Sequence, residues 1–245
     1  MICSIMQPTY IPWIGYFDMI DKVDVFIFYD DVQLTKRSWQ VRNKLRNKSG
    51  EYFLSIPIKK TASRDDLLIK DAVLNNNEKW KKKHLNRIRD SYSKSKYFKE
   101  LYDFIEPIYI QAETLSELNI SLIRGLCKQL NIETKLIKSS TLKDIDGAKD
   151  FRLVSICQNL NFDNYLSPQG SANYINQHNV GGEFTNQKIN LFYHDYDHPL
   201  YNQMENNFIS YLGVFDLIFN YGFDESLNII RLGRKSNLNY NFYEN

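Results

Sequence analysis

Two adjacent carboxylates, Asp30 and Asp31, close the apolar run Val23 to Tyr29, and an acid-free basic stretch from Lys36 to Lys48 follows them. A carboxylate at the end of a strand can serve as a general base or orient an amine. Neighbouring side chains of an extended chain point to opposite sides, so one of the two enters a site, and Asp30 is the expected one. In the basic stretch Lys36, Arg37, Arg42 and Asn43 form the expected anion clamp, since Arg grips phosphate or carboxylate in bidentate fashion, and Trp39 shares their loop. The competing reading of these four is ordinary surface charge. Upstream, Gln7 closes an apolar strand where a ligand hydrogen bond is expected, and Tyr10 and Trp13 flank the same loop. Gly15 either lets a ligand approach the backbone or packs a helix on the sheet. Ser167-Pro168-Gln169-Gly170-Ser171 followed by Tyr174 offers hydroxyls and N–H groups as a second anion or substrate cradle, and it is not the G-x-S-x-G of a serine hydrolase. His84 lies beside Trp80 on an apolar helical face, as a satisfied core histidine or as an acid–base group. His194 and His198 stand four apart, but Pro199 and the strand pattern oppose a helical metal pair. No cysteine or carboxylate cluster has metal spacing either, so no structural metal is expected.

The elements that must position these groups follow from periodicity. Ile2, Ile5 and Met6 read as a strand, Trp13, Tyr16, Phe17 and Ile20 as a buried helical face entered at Pro12, and Val23 to Tyr29 as a strand buried on both faces. This β-α-β unit puts Gln7 and Asp30 at the carboxyl edge of a parallel sheet, where such sheets bind ligands. The stretch Lys36 to Lys44 reads as a functional loop, Phe53 to Ile58 as a strand ended by Pro57, Lys59 to Asp66 as an exposed loop, and Leu67 to Leu74 as another short strand. From Asn77 the pattern turns helical. Trp80, His84, Leu85, Ile88 and Tyr92 share one face, a second helix covers Phe98 to Glu106 and stops at Pro107, and a third runs from the capping pattern Thr114-x-x-Glu117 to Leu130. Strands at Thr134 to Ile137, Asn164 to Leu166 and Lys188 to Tyr196, a helix over Ala148 to Leu160, and a short core helix over Val214 to Phe219 complete the reading. The fold expected is α/β, a parallel sheet of about five strands in a single domain over 1–245, with a helical insertion at 77–130 and an aromatic-rich C-terminal region.

Composition narrows the functional class. The chain has 245 residues, 43% of them apolar and 14% aromatic, enough for a large core without staples. Thirty-one basic residues against 29 acidic leave a net charge of +2, which argues against genomic nucleic acid as a partner. A second acid-free basic cluster, Lys79 to Arg89, reads as a solvated helix face. Three scattered cysteines and the lack of a signal peptide point to the cytoplasm, and no apolar run is long enough for a membrane span.

Nearly the whole chain resembles the WbqC-like family, proteins associated with bacterial O-antigen and other surface-polysaccharide gene clusters. The resemblance rests on Gln7-Pro8-x-Tyr10-x-Pro12-Trp13-x-Gly15-Tyr16, on Asp30-x-Val32-Gln33, on Lys36-Arg37-x-Trp39-x-x-Arg42-Asn43, on Tyr165-Leu166-Ser167 with Gly170 and Tyr174, and on His198-Pro199-x-Tyr201-x-Gln203. It implies a site that includes Tyr16, Gln33, His198 and Tyr201 beside the residues named above. The layout is also similar, more distantly, to the H-x-G-H nucleotidylyltransferases and pantothenate synthetases of the HUP-like group. Trp13 and Tyr16 stand where that superfamily has its two histidines, so its imidazole contacts to ATP are missing. Together these resemblances imply a cytoplasmic transferase that tailors a nucleotide-linked amino sugar, most simply by amide formation with ATP or an acyl or aminoacyl donor. A non-catalytic sugar-nucleotide binding module and a glycosyltransferase remain the alternatives, the latter without a D-x-D motif. The oligomeric state is left open.

Overall fold

The computed structural model describes residues 1–60, 66–77, 79–205 and 207–244. Its centre is a six-stranded sheet built from β1 (Ile2–Met6), β2 (Val25–Phe28), β5 (Lys135–Lys138), β6 (Asn164–Pro168), β7 (Asn190–His194) and β8 (Leu238–Asn239), in the spatial order β5-β2-β1-β6-β7-β8. The first five of these are parallel and β8 pairs antiparallel with the edge of β7. The protein is therefore α/β with a mostly parallel sheet, as the rhythm of apolar runs predicts.

The central strands are apolar on both faces because both are covered. Phe26, Phe28 and Leu166 pack with Ile14, Phe17 and Ile20 of helix α1 (Ile14–Asp21), whereas Cys3, Ile5, Ile27, Tyr165 and Leu191 pack with Leu153, Ile156 and Cys157 of helix α5 (Lys149–Asn159). Alternate residues of each strand thus feed two separate cores. Helix α1 is covered in turn by α8 (Phe215–Leu232), so Ile14 through Ile20 are all buried, Asp18 included. The reading of Val214 to Phe219 as a short helix captures only the start of α8, which continues past a kink at Gly222. At φ 74° a side chain there would also strike the ring of Tyr97, so glycine is required.

Helices α2 (Trp80–Tyr92), α3 (Phe98–Gln111) and α4 (Leu115–Gln129) stand between the fourth and fifth strands in chain order. The buried face of α2 is Trp80, His84, Leu85, Ile88 and Tyr92, as its spacing predicts. The capping box of α4 is complete: Glu117 N–H donates to Thr114 Oγ1 at 3.2 Å, and Thr114 N–H donates to Glu117 Oε2 at 3.0 Å.

Three expectations need correction. Helix α3 runs through Pro107; Ile105 and Tyr109 on either side of it are fully buried, and that packing outweighs the roughly 3 kcal/mol cost of an interior proline. The loop expected over Lys36 to Lys44 ends in strand β3 (Arg42–Asn47), which forms a two-stranded hairpin with β4 (Gly50–Ser55). Leu67 to Leu74 is a single 3-10 turn, Ile69–Asp71, flanked by isolated bridges. Of the loop expected over Lys59 to Asp66, residues 61–65 lie outside the described residues.

Candidate functional site

Strand order fixes where a ligand can enter. From β1 the chain moves through α1 to β2 on one side, while β6 lies on the other side of β1 and leads outward to β7. The carboxyl ends of β1 and β6 therefore flank the topological switch point, where loops diverge and leave a crevice. Met6 and Pro168, the last residues of these strands, line two clefts there: a larger one of about 690 Å³ and a smaller one of about 290 Å³.

The larger cleft is walled by amides, hydroxyls and aromatic rings. Gln7, Gln33, Ser38, Trp39, Ser171 and Tyr174 line it, and among the described residues Lys149, at the start of α5, is the one cation and no carboxylate lines it. Buried Gln40 sets the geometry of this wall. Its Nε2 donates to Gln7 Oε1 at 2.5 Å, while its Oε1 accepts from Ser38 Oγ at 3.0 Å and from Thr35 N–H at 3.2 Å. Trp39 is about half exposed and stacks on Phe53, with ring centroids 6.3 Å apart. Such a surface suits a hydrogen-bonding ligand with flat faces and anionic or neutral groups.

The smaller cleft contains a paired histidine. His194 closes β7, and its Nε2 lies 2.8 Å from Oδ2 of the fully buried Asp18. The carboxylate accepts from Nε2–H, which leaves Nδ1 as the acceptor nitrogen. The other oxygen of Asp18 accepts from Arg234 Nε at 2.7 Å. Arg234 also bonds Asp21, which takes two further hydrogen bonds of 2.8 Å from Arg231. Burial alone would raise the Asp21 carboxyl, but the two arginines outweigh it and hold the group below its ordinary range. Trp13 forms the opposite wall. Its ring lies over Gly15, where a Cβ would come within 2.2 Å of the indole, and it meets Tyr211, Tyr196 and His198 at centroid distances of 5.3, 5.4 and 6.2 Å.

Among the residues expected from sequence, the clefts thus unite Gln7, Gln33, Trp39, Ser171 and Tyr174 on one side with Trp13, Gly15, Tyr16 and Gly170 on the other. Tyr16 contributes little polar surface, because its hydroxyl donates to the carbonyl of Gln7 at 3.2 Å. The others serve the scaffold or lie elsewhere. Asp30 is 1% exposed and lines neither cleft: its oxygens accept from Ser140 N–H at 3.0 Å, Ser140 Oγ at 2.9 Å, Ser139 Oγ at 3.3 Å and Ser116 Oγ at 3.4 Å, tying the end of β2 to the turn after β5. Its neighbour Asp31 pairs with Arg152 at 2.7 Å. His84 is a core histidine. Its Nδ1 meets the buried Tyr10 hydroxyl at 3.0 Å, that hydroxyl also bonds Tyr109, and burial lowers the imidazole pKa to about 4.

Asn43 is likewise buried, and its Nδ2 donates to the carbonyls of Tyr10 and Ile11 at 2.9 and 2.7 Å. It props the loop between β1 and α1, where Ile11 takes φ 44°. Arg42 lies over the Phe53 ring, 4.8 Å from its centroid, and Lys36 and Arg37 line a separate groove. The four residues of the expected clamp therefore do not converge. Ser167 is fully buried beside Pro168, Tyr201 donates to Asp216 at 3.0 Å inside the core, and His198 stacks behind Trp13.

Sequence reading passed over Asp18, Gln40 and Lys149, and weighed His194 only as a metal ligand. A signal for Asp18 existed: it is a lone carboxylate in the middle of Ile14-Gly15-Tyr16-Phe17-Asp18-Met19-Ile20, a helix apolar all round, and a buried charge requires a partner. His194 ends β7, two residues before the Tyr196 at which the strand was expected to stop, so it was not placed at the sheet edge.

The fold and the clefts define an α/β protein with a small-molecule crevice at its switch point, furnished with a carboxylate-held histidine. A model of the WbqC-like protein family matches residues 7–227, and the chain belongs to that family. It is also similar to Rv1507c, an uncharacterized protein of Mycobacterium tuberculosis (strain ATCC 25618 / H37Rv), with 33% identity over 222 residues that cover 89% of this chain and 93% of the relative. No solved structure matches it. Among the described residues no helix is long and apolar enough to cross a membrane.

Proposed function

We propose that the protein is a cytoplasmic transferase that forms an amide on the amine of a nucleotide-linked amino sugar destined for surface polysaccharide. The carrying observation is the Asp18–His194 pair at the switch point, next to a larger cleft lined by amides, hydroxyls and one cation. The nucleotide end of the substrate lies in the larger cleft, with base or sugar faces against Trp39 and Tyr174, and phosphate oxygens drawn to Lys149. The amine reaches the smaller cleft past Met6 and Pro168, which border both. There His194 Nδ1 takes the proton that the amine loses as it attacks an activated acyl carbon, and Asp18, held by Arg234, keeps the ring in the required tautomer and favours the imidazolium that forms. The general-base role thus falls to His194, because the oxygens of Asp30 are committed to serine hydroxyls and a backbone N–H.

The test is incubation with nucleotide amino sugars and a panel of acyl and aminoacyl donors, read by mass spectrometry. The sugar should gain an acyl mass, and His194→Gln should lower turnover by about 10²–10⁴-fold with substrate affinity retained. Asp18→Asn should also lower turnover, because an amide no longer balances the charge of the imidazolium that forms. If no donor changes the sugar's mass while wild type and His194→Gln bind it equally, the protein is a binding module and the catalytic reading is wrong.

A further inference from the structure

Beyond the two clefts lies a third concavity of about 550 Å³ on the outer side of the loop that carries Thr35. Its floor includes the buried Ile56 and the half-buried Val41 and Ile58, supplied by the chain that enters and leaves the hairpin. Its rim carries Lys36, Arg37 and Lys59, all exposed, and among the described residues none that lines it is acidic. Thr35 lines both this groove and the larger cleft, so the two adjoin at that residue. An apolar floor under a cationic rim matches one ligand chemistry, an aliphatic chain carried on a phosphorylated head.

We propose that this groove binds the acyl donor, an acyl thioester on a phosphorylated pantetheine arm. This assignment rests on the transferase reading above and names its second substrate. The aliphatic portion covers Val41, Ile56 and Ile58, the phosphates meet Lys36, Arg37 and Lys59, and the thioester passes Thr35 into the cleft. The amine nitrogen then forms the C–N bond as the C–S bond breaks. The departing thiolate takes up the proton removed by His194, giving a carboxamide and a free thiol with no oxidant or reductant.

Octanoyl-coenzyme A is the probe, titrated calorimetrically into the full chain without any sugar. Octanoate alone and coenzyme A alone should each bind at least tenfold more weakly than the thioester. The Arg37→Glu/Lys59→Glu double variant, confined to exposed side chains, should weaken thioester binding at least tenfold and leave nucleotide-sugar affinity unchanged. Thioester binding to the double variant within twofold of wild type, or equally tight binding of coenzyme A without its acyl chain, overturns the assignment. Should the wild type bind the thioester at this rim but no nucleotide sugar, the groove stands and the sugar reading falls.

Discussion

Acidification should destabilise the protein through His84 before its carboxylates respond. The imidazole is buried between Trp80, whose ring lies edge-on with centroids 5.1 Å apart, and the Tyr10 hydroxyl, 3.0 Å from Nδ1. Burial lowers its pKa from 6.5 to about 4, with nearby Arg87 adding a smaller effect in the same direction. The unfolded chain therefore binds a proton near pH 6.5 that the folded chain refuses until about pH 4, and stability falls as pH drops through that window. The difference amounts to about 3 kcal/mol at the acid end. Asp216 works in the opposite sense: burial raises its carboxyl despite hydrogen bonds from Tyr92 and Tyr201, so its contribution to stability grows as pH falls. Urea unfolding measured from pH 7 down to pH 4.5 reads the slope, with His84→Gln as the comparison because its amide can still bond Tyr10 without titrating. The variant should be less stable at pH 7 and should lose less stability across the window than wild type does. An acid slope in His84→Gln as steep as that of wild type would refute the assignment and shift the cause to other groups.

Three further outcomes follow from the site. Asn43→Ala strips the donor from the buried carbonyls of Tyr10 and Ile11 and should cost about 2 kcal/mol in denaturant unfolding, whereas a loss below about 0.5 kcal/mol would mean that the loop stands without it. Gly15→Ala drives a methyl into the Trp13 indole, so nucleotide-sugar affinity should fall several-fold with a shift in tryptophan emission. Unchanged affinity and emission would show that Trp13 is not held there. Lys149→Ala should weaken nucleotide-sugar binding about tenfold at low ionic strength and flatten its salt dependence, both read by calorimetry at two salt concentrations.

The sheet was legible because each of its parallel strands has apolar residues at its centre and lies between helices, α2 because of its spacing, and α4 because of its spacing and its capping box. Strand β3 escaped because Arg42-Asn43-Lys44-Leu45-Arg46-Asn47 carries a single apolar side chain, Leu45; Asn43 on the same face and Arg46 on the other are buried through polar partners instead. The site was half legible for a related reason. Gln7, Trp39 and Tyr174 could be placed at the sheet edge from strand ends alone, but the roles of Asp30 and Asp18 turn on partners 86–110 and 176–216 residues away. Asp30 meets serines, and Asp18 meets a histidine and an arginine. Local pattern identifies a buried carboxylate as consequential without saying what it faces.

The bonds to Asp18 also bear on how the chain folds. His194 reaches this carboxylate across 176 residues of sequence and Arg234 across 216. Closing loops of that length costs entropy before any contact repays it, so partners this remote in sequence come together late. The buried carboxylate of α1 is therefore fully partnered only once β7 and the segment after α8 have docked.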